Sequence, residues 1–179
     1  MNKVYIMMGL PGSGKSTFLK NYIKPLCNIN IAKIVSRDEI RFSLLKEGED
    51  YFSHEEEVKK IFWETINNAL IDGYNVFVDQ TSLNKASRKL LLNHIYKNID
   101  INIIFVDTPC FNCIENNDTR IGTKAFVPKG VIRRMSCQLE PPTYDEGFKN
   151  IYTYNIYTDE IIRLPEEEVI AWQKELKGN

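Results

Sequence analysis

The sequence predicts an α/β fold with a doubly wound parallel sheet, and three observations support this class. Short apolar runs alternate with helix-like segments four or five times along the chain. The runs are mostly continuous, as in parallel strands that are covered on both faces. Glycine-rich or acidic motifs follow them, at the strand ends where such sheets form a functional crevice. No linker or repeat divides the 179 residues, so we expect a single domain over residues 1–179.

The strands are predicted from apolar runs that are bounded by polar or glycine-containing segments. They occupy residues 4–8, 29–35, 76–78, 101–106 and 151–157. The first four runs are almost entirely apolar, which favours buried parallel strands. The run at 151–157 alternates and is rich in tyrosine and isoleucine, so we expect it to be the last strand.

The helices are predicted from the helical spacing of apolar residues and from start and stop signals. They occupy residues 16–22, 36–45, 54–71, 84–96, 128–139 and 165–176, with a further helix after Pro109. Ser36 and Glu39 have the S-x-x-E spacing of a capping box. Gly73 ends the long helix, Pro128 suits a first helical turn, and Pro141 ends the helix that precedes it.

Composition limits the classes of partner. The chain has 23 Lys and Arg against 24 Asp and Glu, which gives a formal net charge of −1. This balance argues against a long electrostatic groove for duplex DNA, but it allows a local basic pocket for one strand end. No apolar stretch approaches the roughly 18 residues that a membrane helix needs. We therefore expect a cytoplasmic protein that binds no membrane.

Cys110 and Cys113 form a C-x-x-C pair, a spacing that occurs in redox and zinc sites. Zinc would require a second pair of ligands, and the two histidines, His54 and His94, fall in separate helix-like segments. A thioredoxin-type pair opens a helix directly after the first strands, whereas this pair comes late in the chain. Reduced thiols are therefore favoured over either site.

The segment from Gly9 to Ser16 satisfies G-x-x-x-x-G-K-[ST] and lies between a predicted strand and a predicted helix. In such a loop, glycines let backbone N–H groups turn around phosphates, and the helix N-terminus adds positive potential. Lys15 is expected to reach the β- and γ-phosphates, and the Ser16 hydroxyl to bind Mg²⁺. The expected nucleotide-binding residues of the loop are Gly9, Gly12, Ser13, Gly14, Lys15, Ser16 and Thr17.

Asp38 and Arg41 open the helix after the second strand and are three residues apart, so they share one helix face. A carboxylate there can accept a proton from a hydroxyl, and a guanidinium beside it can bind a substrate phosphate. Acidic residues are also common in first turns without any catalytic role. The local sequence leaves both interpretations open.

Two aspartates that follow apolar runs are candidates for orienting Mg²⁺ through water. Asp79 follows residues 76–78, and Asp107 follows residues 103–106. We favour Asp79, because its strand comes directly after the long helix and Thr81 adds a further polar group at the crevice. A turn residue at a strand end is the simpler interpretation of Asp107.

Arg120 and Lys124 flank a glycine within a polar segment at about residues 116–128. We expect this segment to be a lid that delivers a cation to the phosphoryl oxygens and excludes water. A solvated basic loop is the alternative. Arg133 and Arg134, in the following helix, are more simply explained as a solvated face.

Four aromatic residues near these motifs, Phe42, Tyr51, Phe52 and Trp63, are chemically suited to stack on a base. Core packing is the favoured interpretation of Phe42 and Trp63. Tyr51 and Phe52 stay open to either role.

Four blocks resemble the 5′-kinase domain of polynucleotide kinases, which occurs in phage end-healing enzymes and in animal DNA-repair polynucleotide kinase/phosphatases. They are GLPGSGKST at 9–17, SRDEIR at 36–41, VDQTSLN at 78–84 and RIGTKAFVP at 120–128. The segment EPPTYDEGF at 140–148 is similar to the repair-enzyme branch. The resemblance therefore covers most of the chain.

The resemblance implies a fold of the P-loop kinase type and ATP-dependent phosphoryl transfer to the 5′-hydroxyl end of DNA or RNA. The phosphate-binding loop would then hold ATP·Mg²⁺, and Lys15 and Arg120, the lid arginine, would stabilise the transferring group. Asp38 is implied to be the general base and Arg41 to hold the acceptor's phosphate. Asp79 is implied to support the metal site.

The chain also departs from the family pattern. In the phage kinases the lid arginine abuts the glycine, whereas here Ile121 intervenes, so the duty falls on Arg120 or partly on Lys124. The 179 residues contain no D-x-D pair, so we expect a kinase without the phosphatase domain that often accompanies it. This expectation leaves room for an end-processing or ligase partner.

Two alternative functions remain open. A small-molecule P-loop kinase acting on a nucleoside, sugar or antibiotic has the same β-α frame, although Arg41 favours an anionic acceptor. A nucleotide-dependent switch would bind ATP or GTP without acceptor-dependent turnover. The Asp-x-x-Arg block and the lid together exceed what binding alone requires.

Overall fold

The computed structural model describes residues 2–96 and 98–177, and it has a six-stranded sheet with helices on both faces. The strands are β1 (Lys3–Met8), β2 (Ala32–Ser36), β3 (Asn75–Asp79), β4 (Asp100–Val106), β5 (Asn150–Asn155) and β6 (Glu160–Leu164). Their order in the sheet is β2-β3-β1-β4-β5-β6, and β1 to β5 all pair in parallel. The predicted doubly wound parallel sheet is confirmed.

The helices follow the strands in the predicted alternation. They are α1 (Lys15–Phe18), α2 (Lys24–Asn28), α3 (Arg37–Leu44), α4 (Glu55–Ile71), α5 (Lys85–His94), α6 (Cys110–Asp118), α7 (Lys129–Ser136) and α8 (Glu166–Lys177). A π-helical turn at Leu19–Ile23 joins α1 to α2, so the first helical stretch continues past the predicted end at residue 22. Within the described residues, no helix combines the length and the hydropathy that a bilayer crossing requires.

Two hydrophobic layers cover the sheet, one on each face. Val4, Ile6 and Met8 of β1 belong to the layer formed with α4, α5 and α8, whereas Met7 belongs to the layer formed with α1 and the π-helical turn. All four side chains are fully buried. Because successive side chains of a strand point to opposite faces, a strand covered on both faces needs apolar residues at consecutive positions. This explains the continuous apolar runs.

The second strand begins later than the apolar run predicts. Strand β2 starts at Ala32, whereas Ile29 and Ile31 are 62% and 47% exposed. Asn30 between them has a φ of +57°, in the left-handed region that asparagine tolerates. The chain therefore turns at residues 29–31 after α2, and hydrophobicity alone does not distinguish such a turn from a strand.

The predicted last strand is not the last one. The run predicted at 151–157 forms β5, which ends at Asn155, and β6 then pairs antiparallel with it at the edge of the sheet. Ile161 and Ile162 of β6 are both about half exposed. Strand β6 lacks an alternating apolar pattern because neither of its faces is fully covered, and its pairing with β5 defines it instead.

A fully buried arginine, Arg88 of α5, holds together the segments that follow β3 and α7. Its guanidinium donates to both carboxylate oxygens of Glu146, at 2.7 and 2.8 Å. It also donates to the backbone carbonyls of Ser82, at 3.2 Å, and Glu140, at 2.9 Å. Ser82 lies three residues after Asp79, so Arg88 fixes the backbone on one side of the predicted site.

Removal of Arg88 should destabilise the whole domain. We expect Arg88→Ala to lower the free energy of unfolding by about 3–5 kcal/mol, because Glu146 would keep a buried charge without its partner. Lys85→Ala is the control: Lys85 lies on the same helix but pairs with Asp145 at 3.6 Å on the surface, and should cost less than about 1 kcal/mol. Denaturant unfolding measures both changes, and equal small effects would contradict this role of Arg88.

Candidate active site

A cleft of about 1360 Å³ opens along the carboxyl ends of the parallel strands. Its walls come from the loop after β1, the start of α3, the segment after β3 and the polar segment before α7. The predicted site residues in its lining are Gly12, Ser13, Gly14, Lys15, Ser16, Asp38, Arg41, Asp79, Arg120 and Lys124. Gly9 and Thr17 lie outside this lining. The fold therefore gathers most of the predicted site residues at one edge of the sheet.

The phosphate-binding loop is fixed from behind by the segment after β4 and by α6. Gly12 has a φ of +83°, and a Cβ built on it would lie 2.1 Å from the carbonyl oxygen of Cys113. The Thr108 hydroxyl donates to the carbonyl of Ser13 at 2.7 Å, and the Asn116 amide donates to the carbonyl of Gly12 at 2.9 Å. Only glycine fits at position 12, because any side chain there would push the loop away from α6.

The C-x-x-C pair lies in the helix that packs against this loop. Cys113 is buried and donates its thiol to the carbonyl of Thr108 at 3.3 Å. Burial raises the pKa of Cys113 to about 11, which disfavours a reactive thiolate. The four cysteines are free thiols, and the described residues include no group of three His, Cys, Asp or Glu placed to hold a metal. The structure thus gives Cys113 a packing role.

Lys15 lies buried over the loop. Its ammonium donates to the carbonyls of Gly9 and Leu10, both at 2.8 Å. Burial lowers the pKa of Lys15 to about 8, although the negative charge of Asp79 acts in the opposite direction. The Lys15 ammonium, which is expected to bind a nucleotide phosphate, is therefore bonded to carbonyl oxygens of the loop. Ser16, the next residue, is exposed in the cleft.

Asp38 and Arg41 form one ion pair at the start of α3, whose N-terminus Ser36 caps through a hydrogen bond from the Glu39 amide. Arg41 Nη1 donates to Asp38 Oδ1 at 2.5 Å. The Asp38 side chain is 61% exposed to the cleft, whereas that of Arg41 is only 5% exposed. The i,i+3 spacing thus brings the two groups into contact, with the carboxylate nearer the solvent.

The sequence did not predict that Glu55 contacts the Asp38–Arg41 ion pair. Arg41 Nη2 donates to Glu55 Oε2 at 2.8 Å, and Arg37 donates to the other oxygen. Burial acts to raise the pKa of Glu55, but the hydrogen bond from Arg41 and the charge of Arg37 outweigh it and hold the pKa below its ordinary value. Glu55 is one of three consecutive glutamates at the start of α4, so no local signal separates it from its neighbours.

The two candidate aspartates at strand ends have different surroundings. Asp79 is the Cα partner of Ser36 in the β2–β3 pairing, and it lines the cleft. Burial raises the pKa of Asp79, and the charge of Lys15 acts against this rise. Asp107 is exposed and its backbone N–H donates to the carbonyl of Tyr154. The structure therefore places Asp79, and not Asp107, in the cleft.

The polar segment before α7 covers one side of the cleft. Its predicted start at residue 116 falls within α6, and the irregular segment begins only after Asp118. Asn117 is fully buried and holds the ends of the segment together. Its side-chain Nδ2 donates to the carbonyl of Val127 at 2.7 Å, and its Oδ1 accepts from the Val127 N–H at 3.1 Å. Arg120 and Lys124 line the cleft, whereas Arg133 and Arg134 are exposed outside it.

A family model described as an AAA domain matches residues 4–142, which cover all the predicted motifs. The chain belongs to this AAA domain family. Its architecture, a parallel sheet with a phosphate-binding loop after the first strand, is that of a P-loop kinase domain. Such a domain binds a nucleotide at the loop.

Relatives of this AAA domain include two kinases. The chain is 34% identical over 142 residues to the L-seryl-tRNA(Sec) kinase of Methanococcus maripaludis, a match that covers 76% of this chain and 52% of the relative. It is 30% identical over 165 residues to a putative bifunctional polynucleotide phosphatase/kinase of Acanthamoeba polyphaga mimivirus, covering 88% of this chain and 34% of the relative. The chain thus spans about half or a third of these curated relatives.

A solved structure of the Pnkp1/Rnl/Hen1 RNA repair complex contains a similar chain. It superposes with a TM-score of 0.68 at 26% identity, covering 90% of this chain and 48% of that one. Together with the polynucleotide phosphatase/kinase, this similar chain confirms the resemblance to polynucleotide kinases that the four sequence blocks carry.

Substitution of Gly12 should damage nucleotide binding. We expect Gly12→Ala to weaken binding of a fluorescent ATP analogue by about tenfold or more, because a left-handed φ strains alanine by roughly 1–3 kcal/mol and its Cβ collides with Cys113. Gly130→Ala is the control, since nothing lies within 4 Å of that Cβ in α7. Unchanged binding in Gly12→Ala would contradict the described fit of the loop.

Nucleotide affinity should depend on pH through Lys15. Above about pH 8 the unliganded lysine loses its proton, whereas a bound phosphate favours the charged form. We therefore expect the dissociation constant for ATP to rise by up to about tenfold per pH unit above pH 8. Titrations at several pH values measure this slope, and Lys15→Arg should flatten it because arginine stays charged. A flat profile in the parent protein would contradict this assignment.

Proposed function

We propose that this domain transfers the γ-phosphoryl group of ATP to the 5′-hydroxyl end of DNA or RNA. The observation that carries the proposal is the Asp38–Arg41 pair, which lines the same cleft as Lys15 of the phosphate-binding loop. A loop that binds nucleotide needs no such pair, whereas phosphoryl transfer to a hydroxyl beside a phosphate uses both groups. The names of the two kinases and of the repair complex also refer to nucleic acids.

Asp38 is the general base of the proposed reaction. Both hydrogen bonds that the structure gives its carboxylate end on Oδ1, and most of the side chain is exposed to the cleft. The carboxylate accepts the proton of the acceptor hydroxyl as the hydroxyl oxygen attacks the γ-phosphorus in line. The bond from that phosphorus to the bridging oxygen breaks, and ADP leaves.

The cations of the cleft stabilise the transferring group. Lys15 exchanges its contacts with the Gly9 and Leu10 carbonyls for phosphate oxygens, and Arg120 approaches from the lid. Arg41 binds the phosphate that follows the acceptor nucleotide. Positive charge at these positions stabilises the negative charge that develops on the transferring group.

The oxygen donors of the cleft also fit a magnesium ion. Ser16 and Asp79 would hold it, and the ion would supply positive charge against the phosphate oxygens. Hydroxyl and carboxylate oxygens are ligands that Mg²⁺ prefers. Two such donors suffice, since Mg²⁺ usually takes its remaining ligands from substrate phosphates and water.

Phosphoryl transfer to oligonucleotides tests the proposal directly. We expect γ-labelled ATP with Mg²⁺ to label single-stranded DNA or RNA that ends in a 5′-hydroxyl, and Asp38→Ala to lower kcat by about 10²–10⁴-fold, as for loss of a general base. Asp107→Asn is the matched control, because it changes an aspartate that follows a strand but lies outside the cleft. Full activity of Asp38→Ala, or no labelled ends with the parent protein, would overturn the proposal.

A seryl group carried on a tRNA is the second candidate acceptor. The 34% identity to the L-seryl-tRNA(Sec) kinase favours it, and the same base and cations would serve a serine hydroxyl. The labelling experiment includes seryl-tRNA and uncharged tRNA with a 5′-hydroxyl end beside the oligonucleotides. Label lost on mild alkaline deacylation would assign the serine acceptor, and label retained on the tRNA would assign the 5′ end.

A ligase partner is part of the polynucleotide proposal. The similar chain in the Pnkp1/Rnl/Hen1 RNA repair complex supports it, since a 5′-phosphate end is a substrate for end joining.

A further inference from the structure

The loop between α3 and α4 places one tyrosine between the two charged residues of the proposed reaction. The Tyr51 hydroxyl donates to Asp38 Oδ1 at 2.6 Å and accepts from Arg41 Nη1 at 2.7 Å. The Arg41 guanidinium also lies over the Tyr51 ring, 4.2 Å from its centroid. The Tyr51 hydroxyl therefore contacts both Asp38 and Arg41, and the ring face contacts Arg41 as well.

These contacts fix the direction of the Tyr51 hydroxyl. Because Arg41 can only donate, the hydroxyl oxygen accepts from it, and the hydroxyl proton points to the Asp38 carboxylate. Burial and the hydrogen bond to Asp38 raise the pKa of Tyr51 above its ordinary value, so the hydroxyl remains a donor at neutral pH. It holds one carboxylate oxygen and leaves the other to an acceptor.

The Asp38 carboxylate depends on Tyr51 most when an acceptor phosphate is bound. When an acceptor phosphate takes over the hydrogen bond from Arg41 Nη1, the Asp38 carboxylate loses its ion-pair partner although the guanidinium does not move. The contact with Tyr51 is then what keeps Asp38 from rotating about its side-chain torsions. The Tyr51 ring and Glu55 meanwhile keep the guanidinium in place.

Packing does not account for the hydroxyl. The Tyr51 ring makes edge contacts with Phe42 and Phe52, at centroid distances of 6.2 and 4.9 Å, and phenylalanine would preserve both. Tyr51 as a whole is 40% exposed, so its hydroxyl is not required to satisfy a buried core. Its partners are the two residues to which the proposed reaction assigns proton transfer and phosphate binding.

We propose that Tyr51 is a positioning residue for phosphoryl transfer, which acts by orienting the Asp38 carboxylate toward the acceptor hydroxyl while its ring supports Arg41. The proposal rests on the proposed function only in that Asp38 is the base, and it applies to any hydroxyl acceptor. It predicts that the Tyr51 hydroxyl contributes to the chemical step through Asp38 and not through nucleotide binding.

A double-mutant cycle tests this coupling. Tyr51→Phe should lower kcat about tenfold, with KM for ATP within about twofold of the parent value. In the Asp38→Ala background the same substitution should change the residual single-turnover rate less than about twofold, because there is no carboxylate left to orient. Tyr96→Phe is the control, an exposed tyrosine that follows α5 and lies outside the cleft lining, and should leave both rates unchanged.

The outcomes separate this proposal from the proposed function. If the parent protein labels 5′-hydroxyl ends but Tyr51→Phe costs the same in both backgrounds, or costs nothing, the role of Tyr51 is wrong and the function stands. If only another acceptor is labelled and the cycle shows coupling, the function is wrong and the role of Tyr51 stands. If no acceptor is labelled at all, both are overturned.

Discussion

Parallel pairing of β1, β2 and β3 is the constraint on which the rest of the site depends. It aligns Ser36 with Asp79 as Cα partners, and the Gly9 N–H donates to the Thr81 carbonyl at 3.0 Å just beyond the strand ends. Three segments therefore converge: the phosphate-binding loop, the start of α3 and the segment after β3. They meet although Gly9 and Asp79 lie far apart in the chain. Each loop can carry polar groups because the apolar layers on both faces stabilise the strands independently.

Two cations of the cleft, Lys15 and Arg41, bind acceptors of the protein itself. Loop carbonyls bind Lys15, and the carboxylates of Asp38 and Glu55 bind Arg41. A buried charge without a partner would be costly, so these contacts stabilise the site. In the proposed reaction, phosphate oxygens would replace these carbonyl and carboxylate acceptors, and the hydrogen bonds lost and gained would be similar. The free energy of phosphate binding is then the difference between the two sets of contacts, which makes the site sensitive to small changes in either.

Local patterns predicted the parts of the site that local chemistry defines. The loop from Gly9 to Ser16, the aspartate after β3 and the helix opened by Ser36 each depend on residues close in sequence, and each lies where its pattern places it. Strand β6 was missed because pairing with β5, not apolar content, creates it. Arg88 and Glu55 were missed because their partners lie 58 and 14 residues away, and no periodicity encodes such distances. Tyr51 was recognised only as an aromatic residue that could stack.

The sequence by itself determined the alternation of strands and helices, and with it the parallel sheet, because burial on two faces leaves a continuous apolar signal in each strand. It also determined the position of the phosphate-binding loop, since glycines, lysine and serine must follow one another there. Tertiary structure decided which charged groups meet. It joined Arg41 to Glu55 and brought Tyr51 to Asp38. Such contacts depend on how separate segments pack, and a charged or aromatic residue has the same local pattern whether or not its partner is near.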